Sequence, residues 1–322
     1  MARVTASDSL ARRSRPLSFK VLGVESALQA RAALWAYAFA LPWILGLIFF
    51  ILGPILASGY LSLTEYDVLS APSFVGLENY RTALYEDDLF WPSLLRTFEY
   101  SIAYVPLELA GSLAIALLLN TRVRANSTFR TLFYLPSLTP AVALALVWSW
   151  LMHPQVGPIN TVLGYVGIQG PQWLTDKNWA LWSLMIITLW NTFGGNPMLI
   201  FLAGLQGVPD SLLDAAEIDG AGRWAKFRNV ILPMISPTLL FNLILGIIGA
   251  LKVFTIAFVA TNGGPAYSTW FLALHIYNEA FKYFRMGYGS ALAWIFVIVL
   301  LIFTFIQMQL SKRWVYYAGE AD

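Results

Sequence analysis

The chain has 322 residues, of which 58% are hydrophobic and 12% are charged, about half the charged fraction that is usual in soluble domains. A water-soluble protein could not cover so much apolar surface, so the composition predicts a membrane protein. The absence of cysteine excludes disulfides, thiolate catalysis and cysteine-based metal sites. With only two histidines, and without a phosphate-binding loop or a nucleophile-elbow motif, the sequence argues against catalysis or a metal site in this chain.

Uncharged stretches predict six membrane-spanning helices. Residues 32–64 contain no charged residue, which exceeds the roughly 20 apolar residues that a span requires. The six predicted spans are 33–58, 97–119, 131–152, 178–205, 237–260 and 287–310, of which the second is interrupted only by Glu99 and Glu108 and the fifth only by Lys252. The glycine- and proline-containing segment after His153 is predicted to be a loop. The predicted fold is therefore an all-α membrane protein, with a six-span transmembrane domain at 32–312 between tails at 1–31 and 313–322.

The positions of the basic residues predict the orientation of the bundle. Most of the 20 lysines and arginines fall on one side, at Arg3, Arg12, Arg13, Arg15, Lys20, Arg31, Arg122, Arg124, Arg130, Arg223, Lys226, Arg228, Lys312 and Arg313. The loop after the first span is instead acidic, with Glu65, Asp67, Glu78, Glu86, Asp87 and Asp88. Because cytoplasmic loops carry the excess of lysine and arginine, both termini are predicted to be cytoplasmic.

The cytoplasmic loop between the fourth and fifth spans, residues 206–236, carries the most informative pattern. Pro209-Asp210-Ser211 predicts the start of a short apolar helix, and Gly220 is predicted to end it. Residues 221–230 form a second predicted helix with Trp224, Phe227 and Val230 on one face. Such apolar surface favours a partner groove, with an interfacial helix on the lipid head groups as the alternative.

A motif within this loop resembles the EAA motif of ABC-importer permeases. The matching residues keep the motif's spacing and are Asp214, Ala215, Ala216, Asp219, Gly220, Ala221, Phe227 and Pro233. Asp214 replaces the usual leading glutamate and keeps its charge. The resemblance implies that this segment is a coupling helix that inserts into a cleft of an ATP-binding subunit.

Three further segments resemble carbohydrate-uptake permeases of the maltose-transporter type. They are Phe74–Tyr80 (FVGLENY), Leu135-Pro136 followed by Pro140, and Thr261–Pro265 (TNGGP). The resemblance implies the type I importer permease fold in a bacterial or archaeal plasma membrane. It also implies a second permease subunit, in a heterodimer, two ATP-binding subunits that hold the ATP and magnesium, and an extracytoplasmic solute-binding protein. No cofactor in this chain and no nucleic-acid partner are expected.

The candidate substrate residues lie where the fourth span contains polar and helix-breaking residues. Asn191 and Asn196 can donate and accept hydrogen bonds, as sugar hydroxyls require. The resemblance places sugar-contacting positions at Asn191 and Gly195, at Ser137 on the third span, and at Gly246, Ala250 and Val253 on the fifth. Helix–helix packing through small and amide residues is the alternative for the fourth span, and a simple proline kink is the alternative for the third.

Lys252 and Glu108 are costly charges within predicted spans. Lys252 could bind a substrate anion, pair with Glu108, or extend its ammonium group to the membrane surface. Binding of an anion would make a phosphorylated polyol such as glycerol 3-phosphate a plausible substrate.

The sequence therefore predicts the sugar-translocating subunit of an ATP-driven importer, with a di- or oligosaccharide as the favoured substrate. The alternatives are an importer of a phosphorylated polyol, an ATP-independent secondary transporter, a membrane-embedded enzyme and a purely structural or receptor subunit. The missing catalytic constellations oppose an enzyme, and the cytoplasmic loop has no use in a secondary transporter.

Overall fold

The computed structural model describes residues 27–121 and 126–316, so the predicted N-terminal tail lies largely outside the described residues, as does most of 313–322. The chain divides into two compact units, one ending at Tyr60 and the other beginning at Leu61. The helices up to Tyr165 are α1 (Ala27–Gly46), α2 (Gly53–Leu61), α3 (Glu78–Tyr85), α4 (Phe90–Leu119), α5 (Asn126–Tyr134), α6 (Ala141–Leu151) and α7 (Pro158–Tyr165). The later helices are α8 (Ala180–Thr192), α9 (Asn196–Gln206), α10 (Asp210–Ile218), α11 (Arg223–Lys226), α12 (Leu232–Met234), α13 (Ser236–Leu251), α14 (Thr255–Ala260), α15 (Leu272–Tyr277) and α16 (Met286–Ser311). A two-stranded antiparallel hairpin pairs β1 (Thr64–Glu65) with β2 (Ser73–Phe74).

The described part of the first unit is an apolar helical segment. Arg31–Leu61 is continuous, and none of its most apolar 18-residue stretch is buried. A π-helical turn at Leu47–Leu52 joins α1 to α2, and the Gly53 N–H donates to the carbonyl of Ile48, five residues back. Pro54 follows directly and cannot donate a hydrogen bond, which favours such a local widening. A helix that is apolar on all sides suits a lipid environment.

The second unit is organised around α4. This helix has 30 residues, about 45 Å at 1.5 Å per residue, and contributes to three apolar clusters along its length. Its first third packs Phe90 and Leu94 with α13, α15 and α16, its middle packs Tyr100, Tyr104 and Val105 with α6, α8 and α14, and its last third packs Leu113, Ala116 and Leu119 with α9.

The third and fourth predicted spans are each broken into two helices. In the third, α5 and a 3-10 turn at Leu135–Leu138 meet α6 at an angle of 92°. In the fourth, α8 and α9 meet at 47°, because Gly195 is in an extended conformation. The sequence predicted one span for each of these segments, with a proline kink as one reading of the third and helix-breaking residues within the fourth. The prolines account for the difference, since Pro140 and Pro197 lack the N–H that a continuous helix needs.

Four described helices are long and apolar enough to cross a membrane: Arg31–Leu61, Phe90–Leu119, Ser236–Ala260 and Met286–Ser311. The total is six if each bent pair counts as one span. The predicted bounds of these four spans lie within the observed helices. The predicted loop after His153 is wrong in part, because α7 lies there with Gly157 as its N-cap and Pro158 at its first position, where the missing N–H costs nothing.

The FVGLENY segment anchors the chain around the hairpin. The Asn79 side-chain amide donates to the carbonyl oxygens of Ser62 and Thr64, at 3.0 and 2.9 Å. The Tyr80 hydroxyl donates to the Ser62 hydroxyl at 2.8 Å. Gly76 has a φ of +65°, which glycine adopts without steric cost. This motif therefore has a structural role in the described chain.

A buried polar network joins the α3–α4 turn to α15 and α16. His275 Nε2 lies 2.7 Å from Asp87 Oδ2, and the Tyr288 hydroxyl donates to the same oxygen. The Trp270 indole N–H donates to His275 Nδ1, so Nε2 carries the proton that Asp87 accepts. Burial raises the pKa of Asp87, but the hydrogen bonds from His275 and Tyr288 outweigh it and hold that pKa well below its ordinary value.

We expect Asp87→Asn to lower the free energy of unfolding by about 2 kcal/mol, because it removes hydrogen bonds to a charged group. A depressed pKa contributes stability that is fully present above about pH 4 and is lost below it. The difference between the variant and the native chain should therefore stay constant from pH 5 to 8, as measured by thermal unfolding in detergent. Asp88→Asn is the control, since the neighbouring Asp88 is exposed. Equal stability of both variants would contradict this role.

Candidate functional site

A cavity of about 400 Å³ lies beside the middle of α4. Its walls come from α4, α6, α8, α9, α13 and the segment from Val253 to Ile256. The polar side chains that line it are Tyr100, Tyr104, Glu108, Thr188, Asn191, Thr192, Asn196, Asn242 and Thr255. Polar groups and helix breaks near the centre of a bundle are typical of the substrate sites of transporters.

A row of α4 side chains at four-residue spacing supplies one wall, because residues at i and i+4 share a helix face. It comprises Tyr100, Tyr104 and Glu108. The Tyr104 hydroxyl lies 3.0 Å from Glu108 Oε1 and 3.0 Å from the Thr192 hydroxyl on α8. Glu108 is 5% exposed, so this wall presents a carboxyl group that is held by one hydrogen bond in an apolar setting.

Two asparagine side chains satisfy carbonyl groups at the helix breaks. Asn191 Nδ2 donates to the Pro136 carbonyl at 2.7 Å, and Asn242 Nδ2 donates to the Pro197 carbonyl at 3.2 Å. Because the Pro136 and Pro197 carbonyl groups can only accept, the NH₂ group of each asparagine must point toward them. The side-chain oxygen of each asparagine then points away and can accept from other donors. Asn191 therefore combines helix–helix packing with a position on the cavity wall, the two roles that the sequence left open.

The five predicted substrate residues are only partly brought together. Asn191 and Asn196 line the cavity. Gly195 and Ser137 face each other beside it, since a Cβ built on Gly195 would lie 3.1 Å from Ser137 Cβ. Lys252 caps α13, is exposed, and is not among the residues that line the cavity.

The positions on the fifth span that the resemblance indicated, Gly246, Ala250 and Val253, do line the cavity. Tyr104, Thr192 and Asn242 were not predicted from the sequence, and Glu108 was considered only as a partner of Lys252. The ion pairs of the described residues do not join those two side chains. The available signal was the four-residue spacing from Tyr100 to Glu108 within an otherwise apolar helix.

The loop at 206–236 folds into the helix–turn–helix that the sequence predicted. α10 ends at Ile218, and Gly220 has a φ of +77°. The Gly220 N–H donates to the Glu217 carbonyl at 3.0 Å, and the Ala221 N–H donates to the Ala216 carbonyl at 2.9 Å. This is the Schellman pattern, in which a left-handed residue satisfies the last carbonyls of a helix.

Contacts across the turn fix α10 against α11. Lys226 Nζ lies 2.6 Å from Glu217 Oε2, and this hydrogen bond lowers the pKa of Glu217. Phe227 is half-buried and packs against the apolar cluster around Leu113. Asp214 and Ala215 are exposed, and so are three large apolar side chains, Leu212, Ile218 (87%) and Trp224 (71%). The loop is thus attached at one end and presents an apolar surface at the other.

Comparison with known proteins places these features in a family. Residues 109–316 match the family model described as "Binding-protein-dependent transport system inner membrane component". The probable ABC transporter permease protein YesP of Bacillus subtilis is 40% identical over 290 residues, covering 89% of this chain and 93% of the relative. The trehalose/maltose transport system permease protein MalF of Thermococcus litoralis is 33% identical over 292 residues, covering 89% and 97%.

A solved structure has the same fold. It is the crystal structure of a bacterial alginate ABC transporter in complex with an alginate pentasaccharide-bound periplasmic protein. One of its chains superposes with a TM-score of 0.78 at 21% identity, over 88% of this chain and 96% of that one. The chain therefore has the permease fold that the sequence predicted.

Proposed function

The chain belongs to the binding-protein-dependent transport system inner membrane components, in the carbohydrate-uptake branch of the ABC permeases, and we propose that it translocates a di- or oligosaccharide. The observation that carries the proposal is the cavity beside α4. Its volume of about 400 Å³ lies within the usual range of small-molecule sites. Its hydroxyl and amide groups can donate and accept hydrogen bonds with sugar hydroxyls.

The cavity favours a sugar over a phosphorylated polyol. Among the described residues that line it, Glu108 carries a carboxyl group, and lysine and arginine do not occur. A phosphate group would need positive charge or several N–H donors in such an apolar setting. The exposed Lys252 supplies neither, since it is not on the cavity wall.

The membrane arrangement in this proposal has six spans with both termini in the cytoplasm, each bent pair of helices counting as one span. The arrangement is supported by the six apolar segments and by the excess of lysine and arginine on one side. The loop at 206–236 then faces the cytoplasm. The location is a bacterial or archaeal plasma membrane.

The proposed energy source is ATP hydrolysis in two partner subunits. The exposed apolar residues of the loop, Leu212, Ile218 and Trp224, would enter a groove of such a subunit, and the Gly220 turn would hold the two short helices at a fixed angle. Asp214, Ala215, Ala216, Asp219 and Ala221 lie on or beside α10. Phe227 and Pro233 connect that contact to the membrane core.

Two further partners complete the proposed importer. A solute-binding protein on the outer side would deliver the sugar, as the periplasmic protein accompanies the alginate transporter. A second permease subunit, in a heterodimer, would close the open side of the cavity.

Uptake into proteoliposomes tests the proposal. The chain would be purified together with its partner permease, ATP-binding subunits and solute-binding protein. Radiolabelled maltose, trehalose, lactose and glycerol 3-phosphate would be offered outside, with ATP inside. We expect uptake of at least one of the three sugars, dependent on ATP and on the binding protein. Uptake of glycerol 3-phosphate alone, or uptake driven by an ion gradient without ATP, would contradict the proposal.

A further inference from the structure

Three oxygen atoms of side chains that line the cavity have no hydrogen-bond partner among the described residues: the Tyr100 hydroxyl, Glu108 Oε2 and Asn242 Oδ1. The Tyr100 hydroxyl can itself donate, whereas Glu108 Oε2 and Asn242 Oδ1 are a carboxyl and an amide oxygen that call for a donor. Both side chains are buried, at 5% and 2% exposure. A buried polar atom without a partner costs about 1–3 kcal/mol, and folded proteins keep few such atoms. A donor from outside the chain would therefore satisfy both oxygens.

Glu108 and Asn242 lie on two different elements of the cavity wall, α4 and α13. Tyr104 occupies Glu108 Oε1 at 3.0 Å, and Oε2 points toward α13, where a Cβ built on Gly246 would lie 2.8 Å from it. Asn242 precedes Gly246 by four residues, so it lies on the same face of α13 one turn away. The Asn242 amide group is directed at the Pro197 carbonyl, which leaves its oxygen as the acceptor. Glu108 Oε2 of α4 thus lies beside Gly246, and Asn242 lies one turn from Gly246 on α13.

We propose that Glu108 and Asn242 form a hydroxyl-binding subsite that determines specificity, in which each oxygen accepts a hydrogen bond from a hydroxyl group of the substrate. The proposal rests on the function proposed above and specifies which chemical groups of the sugar the cavity recognises. The ligand at this end of the cavity is a neutral polyhydroxyl unit. A phosphate or carboxylate group, which offers acceptors and negative charge, would meet two acceptors here and is excluded from this end.

Gly246 keeps the Glu108 carboxyl group at the wall. Any side chain at this position would come within 3 Å of Oε2 and displace the carboxyl group from α13. A small residue here is therefore part of the subsite, although it contacts no hydroxyl itself.

The test measures sugar uptake by the complete importer in proteoliposomes. The probe is whichever of radiolabelled maltose, trehalose or lactose the native importer takes up, together with its singly deoxygenated analogues. We expect Glu108→Ala and Asn242→Ala each to reduce uptake about tenfold, which corresponds to one lost hydrogen bond of about 1.4 kcal/mol. The native importer should disfavour the analogue that lacks the recognised hydroxyl by a similar factor. The matching variant should transport the analogue and the parent sugar equally.

Two further variants separate recognition from folding. Glu108→Gln keeps the size of the side chain, and we expect it to assemble normally while its preference among the analogues is weakened. Ser112→Ala removes a buried hydroxyl that also lacks a partner among the described residues, one turn further along α4. Ser112 does not line the cavity, so its variant should keep native uptake and preference.

The possible failures differ. If the alanine variants import at the native rate, or lose uptake while keeping the native preference for every hydroxyl, the subsite is wrong although sugar transport stands. If the native importer takes up none of the three sugars, the proposed function is contradicted, and so is the subsite that rests on it.

Discussion

Gly220→Val should abolish transport while leaving the membrane-embedded part of the chain folded. Gly220 has a φ of +77°, a conformation that costs about 1–2 kcal/mol for residues with a Cβ and more for a β-branched one. Valine would therefore unwind the turn that satisfies the carbonyls of Glu217 and Ala216. A Cβ at Gly220 meets no atom within 4 Å, so the effect is conformational and confined to the loop. The measurements are co-purification of the ATP-binding subunits and ATP-dependent uptake.

Two matched variants test the conformational origin of this effect. Gly222→Ala changes a glycine two residues away that has a negative φ of −68° and equally open surroundings, so it should retain full uptake. Uptake by Gly220→Asn should be intermediate between that of Gly220→Val and that of Gly222→Ala, since asparagine tolerates the left-handed region. If Gly222→Ala were as damaging as Gly220→Val, the loop would depend on backbone flexibility rather than on the fixed turn. Normal uptake by Gly220→Val would contradict the proposed coupling role.

The spans could be located from the sequence because charge is costly in hydrocarbon. That rule places the ends of helices such as α16 to within a residue or two, and it needs no tertiary information. It does not tell a straight helix from a broken one. Pro140 and Pro197 indicated breaks, but the angles of 92° and 47° depend on how α5 and α9 pack on α4.

The helix–turn–helix of the loop at 206–236 could also be predicted from the sequence, because its structure depends on local hydrogen bonds. The hydrogen bonds that end α10 join residues at most five apart, and the glycine that permits them is visible in the sequence. The cavity is different. The Tyr104–Thr192 contact spans 88 residues and the Asn191–Pro136 contact 55. Such contacts cannot be deduced from spacing. For that reason the sequence indicates Lys252 only as one possible partner of Glu108 and does not indicate Tyr104.

Gly194 and Gly195 lie at the break between α8 and α9. We expect Gly194→Ala to destabilise the chain more than Gly195→Ala. A Cβ at Gly194 would lie 1.9 Å from the carbonyl oxygen of Phe133, a backbone atom that cannot rotate away. The alanine variant fits only if the end of α5 moves away from the break between α8 and α9. Overpacking of a closed core typically costs about 1–3 kcal/mol, and more where the backbone must shift. We therefore expect about 3 kcal/mol or more, measured as a loss of thermal stability of the detergent-solubilised importer.

A graded series identifies the close approach of the two backbones as the cause. At Gly195 a Cβ would meet the Ser137 side chain at 3.1 Å, which a small shift relieves, so Gly195→Ala should cost less than Gly194→Ala. Gly164 in α7 has no atom within 4 Å of a built Cβ, and alanine there should stabilise slightly through its higher helix propensity. We therefore expect Gly164→Ala to be the most stable of the three variants, Gly195→Ala to be intermediate and Gly194→Ala to be the least stable. Because Asn191 and Thr192 line the cavity directly before this break, substrate uptake should fall in the same order, and uptake that is unaffected in Gly194→Ala would mean that the break does not position the site.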